Sequence, residues 1–144
     1  MKAVVAQKKV AGKRAKQSAN GSGPHARVSK VQAGLHFREL EALRQDLGLP
    51  LDQLSEKLGI SRATMHRRKA AGRLGPDESD RVARFERLLK QAATVFGDND
   101  RARQWLNFPQ YGLGGAVPLD YARTEVGARE VENLLGRIEY GVYS

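Results

Sequence analysis

Cysteine is absent from all 144 residues, which excludes a disulfide framework and any thiolate metal site and fits a reducing compartment. Histidine is scarce, and His25, His36 and His66 are too scattered to form a metal cluster. No stretch approaches the ~20 apolar residues needed to cross a bilayer. The longest apolar run of the basic N-terminus, Ala3 to Ala6, is too short for the core of a signal peptide. A cytoplasmic protein with no membrane association is therefore expected. Paired carboxylates, Cys–His or Ser–His–Asp patterns and a phosphate-cradling glycine loop are all missing. The expectation is a protein that is not an enzyme, with no catalytic residues, no cofactor and no metal. Strand-like runs and internal repeats are lacking too, so the fold class expected is all-α.

Acidic residues are missing from one region only. Residues 1–30 carry Lys2, Lys8, Lys9, Lys13, Arg14, Lys16, Arg27 and Lys30 with no acid, and so hold +8 of the net charge of +9. A global argument from charge to nucleic acid would rest almost wholly on this segment. It is poor in apolar residues and broken by Gly21-Ser22-Gly23-Pro24, so it reads as a basic N-terminal arm. A solvated tail, a phosphate-contacting arm, and a contact with a partner or second subunit all remain open for it.

From about Val31 the pattern turns helical. Leu40, Leu43 and Leu47 mark a first helix stopped by Gly48 and Pro50, and Leu51, Leu54 and Leu58 a second stopped by Gly59. A third begins at Ser61 as N-cap and runs to about Ala71. Gly75-Pro76-Asp77-Glu78 opens a long fourth, whose inward face is Val82, Phe85, Leu88, Leu89, Ala92, Val95 and Phe96, closed by Gly97. A fifth starts near Asn99 and ends before Pro109. The boundaries expected are an arm over 1–30, a first helical domain over 31–97 and a C-terminal domain over 98–144.

Leu51 to Ala71 resembles the bacterial helix-turn-helix, whose second helix enters the major groove of DNA. Gly59 permits the reversal, small Ser55 lets the helices approach, and Leu54, Leu58, Ile60 and Met65 form the seam. Between Lys57 and Gly75 lie Lys57, Arg62, Arg67, Arg68, Lys69 and Arg73, with no acid in that span. Helical geometry turns Ser61, Arg62, Ala63, His66 and Arg67 towards base edges, with Arg62 suited to pair bidentately with guanine. Arg68, Lys69 and Arg73 flank them and suit phosphates. Arg68 stands where an apolar residue is usual, which predicts a short or tilted recognition helix. One such unit makes few base contacts, so a homodimer on a palindrome is expected. The apolar face of the long helix is a natural place for the second copy, and equally natural as a joint between the two halves of one chain.

The last forty residues carry a second set of motifs. Trp105-Leu106 precedes Pro109 in a W-L-x-x-P step, and Leu113 to Leu119 form an L-G-G-x-x-P-L turn. Thr124 to Gly141 read T-x-x-G-A-x-x-V-x-x-L-L-G-R-I-x-x-G, a helix capped by Thr124 whose one face holds Ala128, Val131, Leu134, Leu135 and Ile138. Over about forty positions this segment resembles the toxin-binding domain of the Xre/MbcA/ParS family of bacterial antitoxins. The resemblance implies a type II toxin–antitoxin system. The antitoxin would bind a RES-domain toxin that consumes NAD, occlude its active site, and act as repressor of its own operon through operator DNA. It further implies a larger hetero-oligomer with the toxin. The candidate toxin-binding residues are Arg129, Glu132, Asn133, Arg137, Glu139, Tyr140, Val142, Tyr143 and Ser144. Glu139, the Tyr143 ring and the Ser144 carboxylate suit the basic, aromatic walls that a pocket for NAD requires. The competing reading is a stand-alone helix-turn-helix regulator of transcription whose C-terminal domain dimerises or senses a ligand.

Overall fold

The computed structural model describes residues 23–141, and these form eight α-helices and one 3-10 turn with no strand among them. The helices are α1 (Pro24–Ala33), α2 (Phe37–Leu47), α3 (Leu51–Leu58), α4 (Arg62–Ala71), α5 (Pro76–Phe96), α6 (Asn99–Asn107), α7 (Pro118–Tyr121) and α8 (Glu125–Glu139), with the 3-10 turn at Tyr111–Leu113. Residues 1–22 of the arm and Val142, Tyr143 and Ser144 lie outside the described residues.

Most boundaries follow the punctuation of the chain. The left-handed glycines Gly48, Gly59, Gly72 and Gly97 close α2, α3, α4 and α5. Ser61, Asp98 and Thr124 cap α4, α6 and α8 by accepting the N–H of Thr64, Asp100 and Gly127. Two elements depart from the sequence reading. Helix α1 starts at Pro24, inside the segment read as arm, because Pro24 sits at its first position. It has no fully buried residue; Val31 packs against the core from the side, and Arg27 reaches Glu39 at 3.4 Å and also pairs with Glu86. The turn read over Leu113 to Leu119 runs at its end into the short helix α7, begun by Pro118.

Helix α5 is the spine. It touches α1, α2 and α3 on one side and α6 and α8 on the other. Val82, Phe85, Leu88 and Ala92 are buried within the single chain, and Leu89, Val95 and Phe96 are partly covered, Phe96 by the Trp105 ring at 5.8 Å. This face therefore joins the two halves of one chain. One apolar core runs from Leu35 to Leu135, including Leu40, Leu54 and Met65 of the first half and Leu106, Leu119 and Val131 of the second.

Two glycines are demanded by backbone approach. A Cβ on Gly34, whose φ is +94°, would collide with the Leu74 carbonyl where segments 34–36 and 72–74 pair (Leu74 N–H to Leu35 O, 2.8 Å). A Cβ on Gly127 would fall on the carbonyl oxygen of Tyr121 at the end of α7. Gly136, on the same helix, has nothing within 4 Å of that position. Gly127→Ala is thus expected to cost about 2–3 kcal/mol through forced displacement of α7, whereas Gly136→Ala should stabilise the isolated protein by up to about 1 kcal/mol through helix propensity. Urea unfolding of the two variants checks the contrast, and equal behaviour would contradict the packing described.

Candidate DNA- and toxin-binding surfaces

Helices α3 and α4 turn on Gly59, with Ile60 N–H donating to Ser55 O at 2.9 Å and Leu54, Leu58, Ile60 and Met65 buried between them. This geometry exposes Ser61, Arg62, Ala63, His66, Arg67, Lys69 and Arg73. Among the described residues Arg62 pairs with Asp52 alone, at 3.3 Å, with both side chains three-quarters exposed, a contact too weak to hold it from another partner. Arg67 donates to the Thr64 hydroxyl at 3.1 Å. Ser61 is committed in part: its hydroxyl accepts from Thr64 N–H and donates to Thr64 Oγ1 at 2.9 Å.

On the flank, two of the three expected phosphate contacts already have partners within the fold. Arg68 is partly buried and its Nε donates to Glu78 at 2.6 Å, while Arg73 Nη1 donates to Gly34 O at 2.6 Å. Both guanidiniums are held by the fold, and only Lys69 of the three expected phosphate contacts has no side-chain bond among the described residues. Helix α4 is a full ten residues long, because Arg68 finds an acid in α5 and does not need an apolar slot. Lys57, counted in the basic run, pairs with Asp120 at 2.8 Å. Arg81, which sequence reasoning passed over, donates to the carbonyls of Leu58 and Gly59 at 3.3 and 3.0 Å and so satisfies the end of α3. Its acceptors lie more than twenty residues away, so no local pattern announces it.

Glu78 accepts from Gly75 N–H at 2.8 Å as well as from Arg68. Burial pushes its carboxyl up, but the Gly75 hydrogen bond and the Arg68 bond and charge together hold it below the ordinary value. Glu86 is the reverse case. Burial raises it, Arg27 opposes, and the charges of Glu39 and Asp46 add to the rise.

In the second half, Arg84 is nearly buried and holds the start of α8. Its Nε donates to Glu125 at 3.0 Å, Nη1 to Arg123 O at 3.0 Å and Nη2 to Asp80 at 3.2 Å. Arg87 reaches Glu132 at 2.7 Å and Glu125 at 3.4 Å, and Gln91 donates to Glu132 O at 3.1 Å. Val131, Leu134 and Leu135 face the core. Of the expected partner-binding residues, Glu132 is therefore tied to α5, and Glu139 lies seven residues on along the same flank. Arg129, Asn133 and Tyr140 are exposed on the outer side, with Arg137 half-covered. Val126, Asn133 and Tyr140 recur every seven residues and form one stripe there.

A basic helix-turn-helix joined through a shared spine to a second helical domain defines a two-part DNA-binding protein. Residues 26–87 match the antitoxin Xre-like helix-turn-helix domain, and residues 91–141 match the antitoxin Xre/MbcA/ParS C-terminal toxin-binding domain. The chain is 36% identical over 119 residues to a protein of Yersinia enterocolitica named antitoxin Xre, covering 81% of this chain and 80% of that one. It is 35% identical over 127 residues to the antitoxin Xre of Photorhabdus laumondii, covering 87% and 85%. A shorter similarity, 35% over 65 residues, links it to the antitoxin Xre of Pseudomonas putida and covers 45% of this chain and 41% of that one. The chain belongs to the Xre family of antitoxins.

Two expectations arise from these surfaces. Arg62→Ala should lose about 1–3 kcal/mol of discrimination for its DNA site while leaving the fold intact, since the residue is exposed; a gel-shift titration with unchanged sequence preference would refute this. Glu78 sets a pH dependence. Because its folded carboxyl is held low, its contribution is fully present above the ordinary carboxylate range and is lost as pH falls through the folded value. Urea midpoints measured from neutral pH down to about 3 should fall more steeply for the native chain than for Glu78→Gln.

Proposed function

We propose that this antitoxin neutralises a co-encoded RES-domain, NAD-consuming toxin and represses its own operon, binding operator DNA as a homodimer through α4. The observation that carries the reading is the division of its free surface. One exposed face, on α4, is basic and sits on a helix-turn-helix; the other, on the outer side of α8, keeps Arg129, Asn133 and Tyr140 clear while the inner side and the α5 flank are occupied. The family likeness supports a RES partner with that chemistry. The outer face of α8 grips the toxin, and Val142-Tyr143-Ser144, which follow Gly141, enter the active site. A short segment beyond a helix end reaches into an enclosed pocket where a helix face does not fit.

Removing residues 142–144 should weaken neutralisation far more than DNA binding, because the apolar face of α8 ends at Ile138 and owes the tail little. The test is a growth-rescue assay beside the toxin, with circular dichroism confirming the fold. Full rescue at matched expression would reject occlusion by the tail and leave the α8 face as the inhibitory element.

A further inference from the structure

Asn107 to Leu119 is an uncharged run of thirteen residues in a chain with 28% charged residues. It displays two aromatic side chains to solvent, Tyr111 at 95% exposure and Phe108 at 60%. Exposed large apolar side chains are not spread over the molecule. Five of the six among the described residues, Phe108, Tyr111, Tyr121, Val126 and Tyr140, fall within the toxin-binding domain, and only Val28 falls outside it. Among the described residues, neither the Phe108 nor the Tyr111 ring belongs to the apolar core or to an aromatic pair.

The loop that carries them is held in shape. Gln110 N–H donates to Ala116 O at 3.0 Å and Gly115 N–H to Gln110 O at 2.9 Å, pinching the two ends together. The Gln110 side chain donates to the carbonyls of Trp105 and Phe108 at 2.9 and 3.2 Å. Gly112 seats the loop on α8, so close that a Cβ there would stand 2.7 Å from a methyl of Leu134. Glu130 and Arg137 are the outward neighbours of Leu134 one turn away on α8, and beyond them lies the stripe of Asn133 and Tyr140. Loop and helix thus make one continuous surface.

We infer that this loop is the anchoring centre of the toxin interface, with Tyr111 and Phe108 inserting into an apolar cleft of the toxin and the charged face of α8 forming the rim. The inference rests on the toxin-neutralising reading above. Aromatic anchors surrounded by a polar rim are the residues that dominate protein interfaces, and charge is depleted at their centre. A pre-shaped loop also loses little conformational freedom on binding. The partner is a protein and not DNA, because the loop offers no cation to a phosphate and α4 lies in the other half.

The experiment measures binding of the full-length chain to the purified co-encoded toxin by titration calorimetry, for the native protein and for Phe108→Ala, Tyr111→Ala, Tyr111→Phe and Arg129→Glu. Tyr111→Ala and Phe108→Ala should each weaken binding at least about tenfold, with thermal stability and operator affinity unchanged, and Tyr111→Phe should retain most of it. Wild-type affinity in both alanine variants, with Arg129→Glu impaired, would overturn the anchor and leave the toxin-binding reading standing. No association between the native chain and the toxin would defeat that reading and the anchor with it. Sedimentation of the free chain covers the remaining occupant: a dimer that Tyr111→Ala converts to monomer would assign the loop to a second copy and overturn the inference.

Discussion

Arg84 is the charge on which the union of the two halves depends. A guanidinium with its side chain 10% exposed would cost several kcal/mol if left without partners. Three acceptors meet it, the carboxylates of Asp80 and Glu125 and the carbonyl of Arg123, so the first turn of α8 has one low-energy position relative to α5. Thr124 caps that same turn, and Gly127 lets it lie against the end of α7. An error in any of these would leave a buried cation or a blocked backbone. The apolar face of α8 then has no choice of register.

Arg84 is one of a series. Glu78, Arg81, Arg84 and Arg87 recur every third residue along α5 and engage, in order, α4, the turn after α3, the start of α8 and its second turn. Spacing of three on a 3.6-residue helix makes the row drift slowly around the axis, so one helix presents polar contacts first to the DNA-binding head and then to the toxin-binding domain. The Lys57–Asp120 pair closes the same junction from the side of the head. The angle between recognition helix and toxin-binding face is thereby set by short-range ion pairs over a common apolar floor.

The chain announces those helices whose ends carry a cap or a breaker. Ser61, Gly59, Gly75-Pro76, Gly97 and Thr124 state local rules, and α3, α4, α5 and α8 obey them. Helix α1 is invisible to apolar periodicity because it buries no residue fully and is clipped by Arg27 to partners twelve and fifty-nine residues away. Among the site residues, exposure of Arg62 and His66 follows from helical phase alone. Glu132 looks free on a helical wheel, but Arg87 holds it; Arg68 and Arg73 are held in the same way by Glu78 and the Gly34 carbonyl, and such long-range pairs leave no periodic trace. The aromatic loop was legible only as a motif, since exposure of Phe108 and Tyr111 depends on how Gly112 rests against Leu134.

The two matched domains, 26–87 and 91–141, meet in the middle of α5, which runs unbroken from Pro76 to Phe96 above a single core. A helix that buries Val82 in one half and Ala92 in the other ties the two halves to one core, so the described residues are expected to melt as one cooperative unit. For a cell that removes this protein by proteolysis, the consequence is a shared fate. One unfolding event would then deliver the whole molecule to the protease, and the DNA-binding and toxin-binding halves would be lost in the same step.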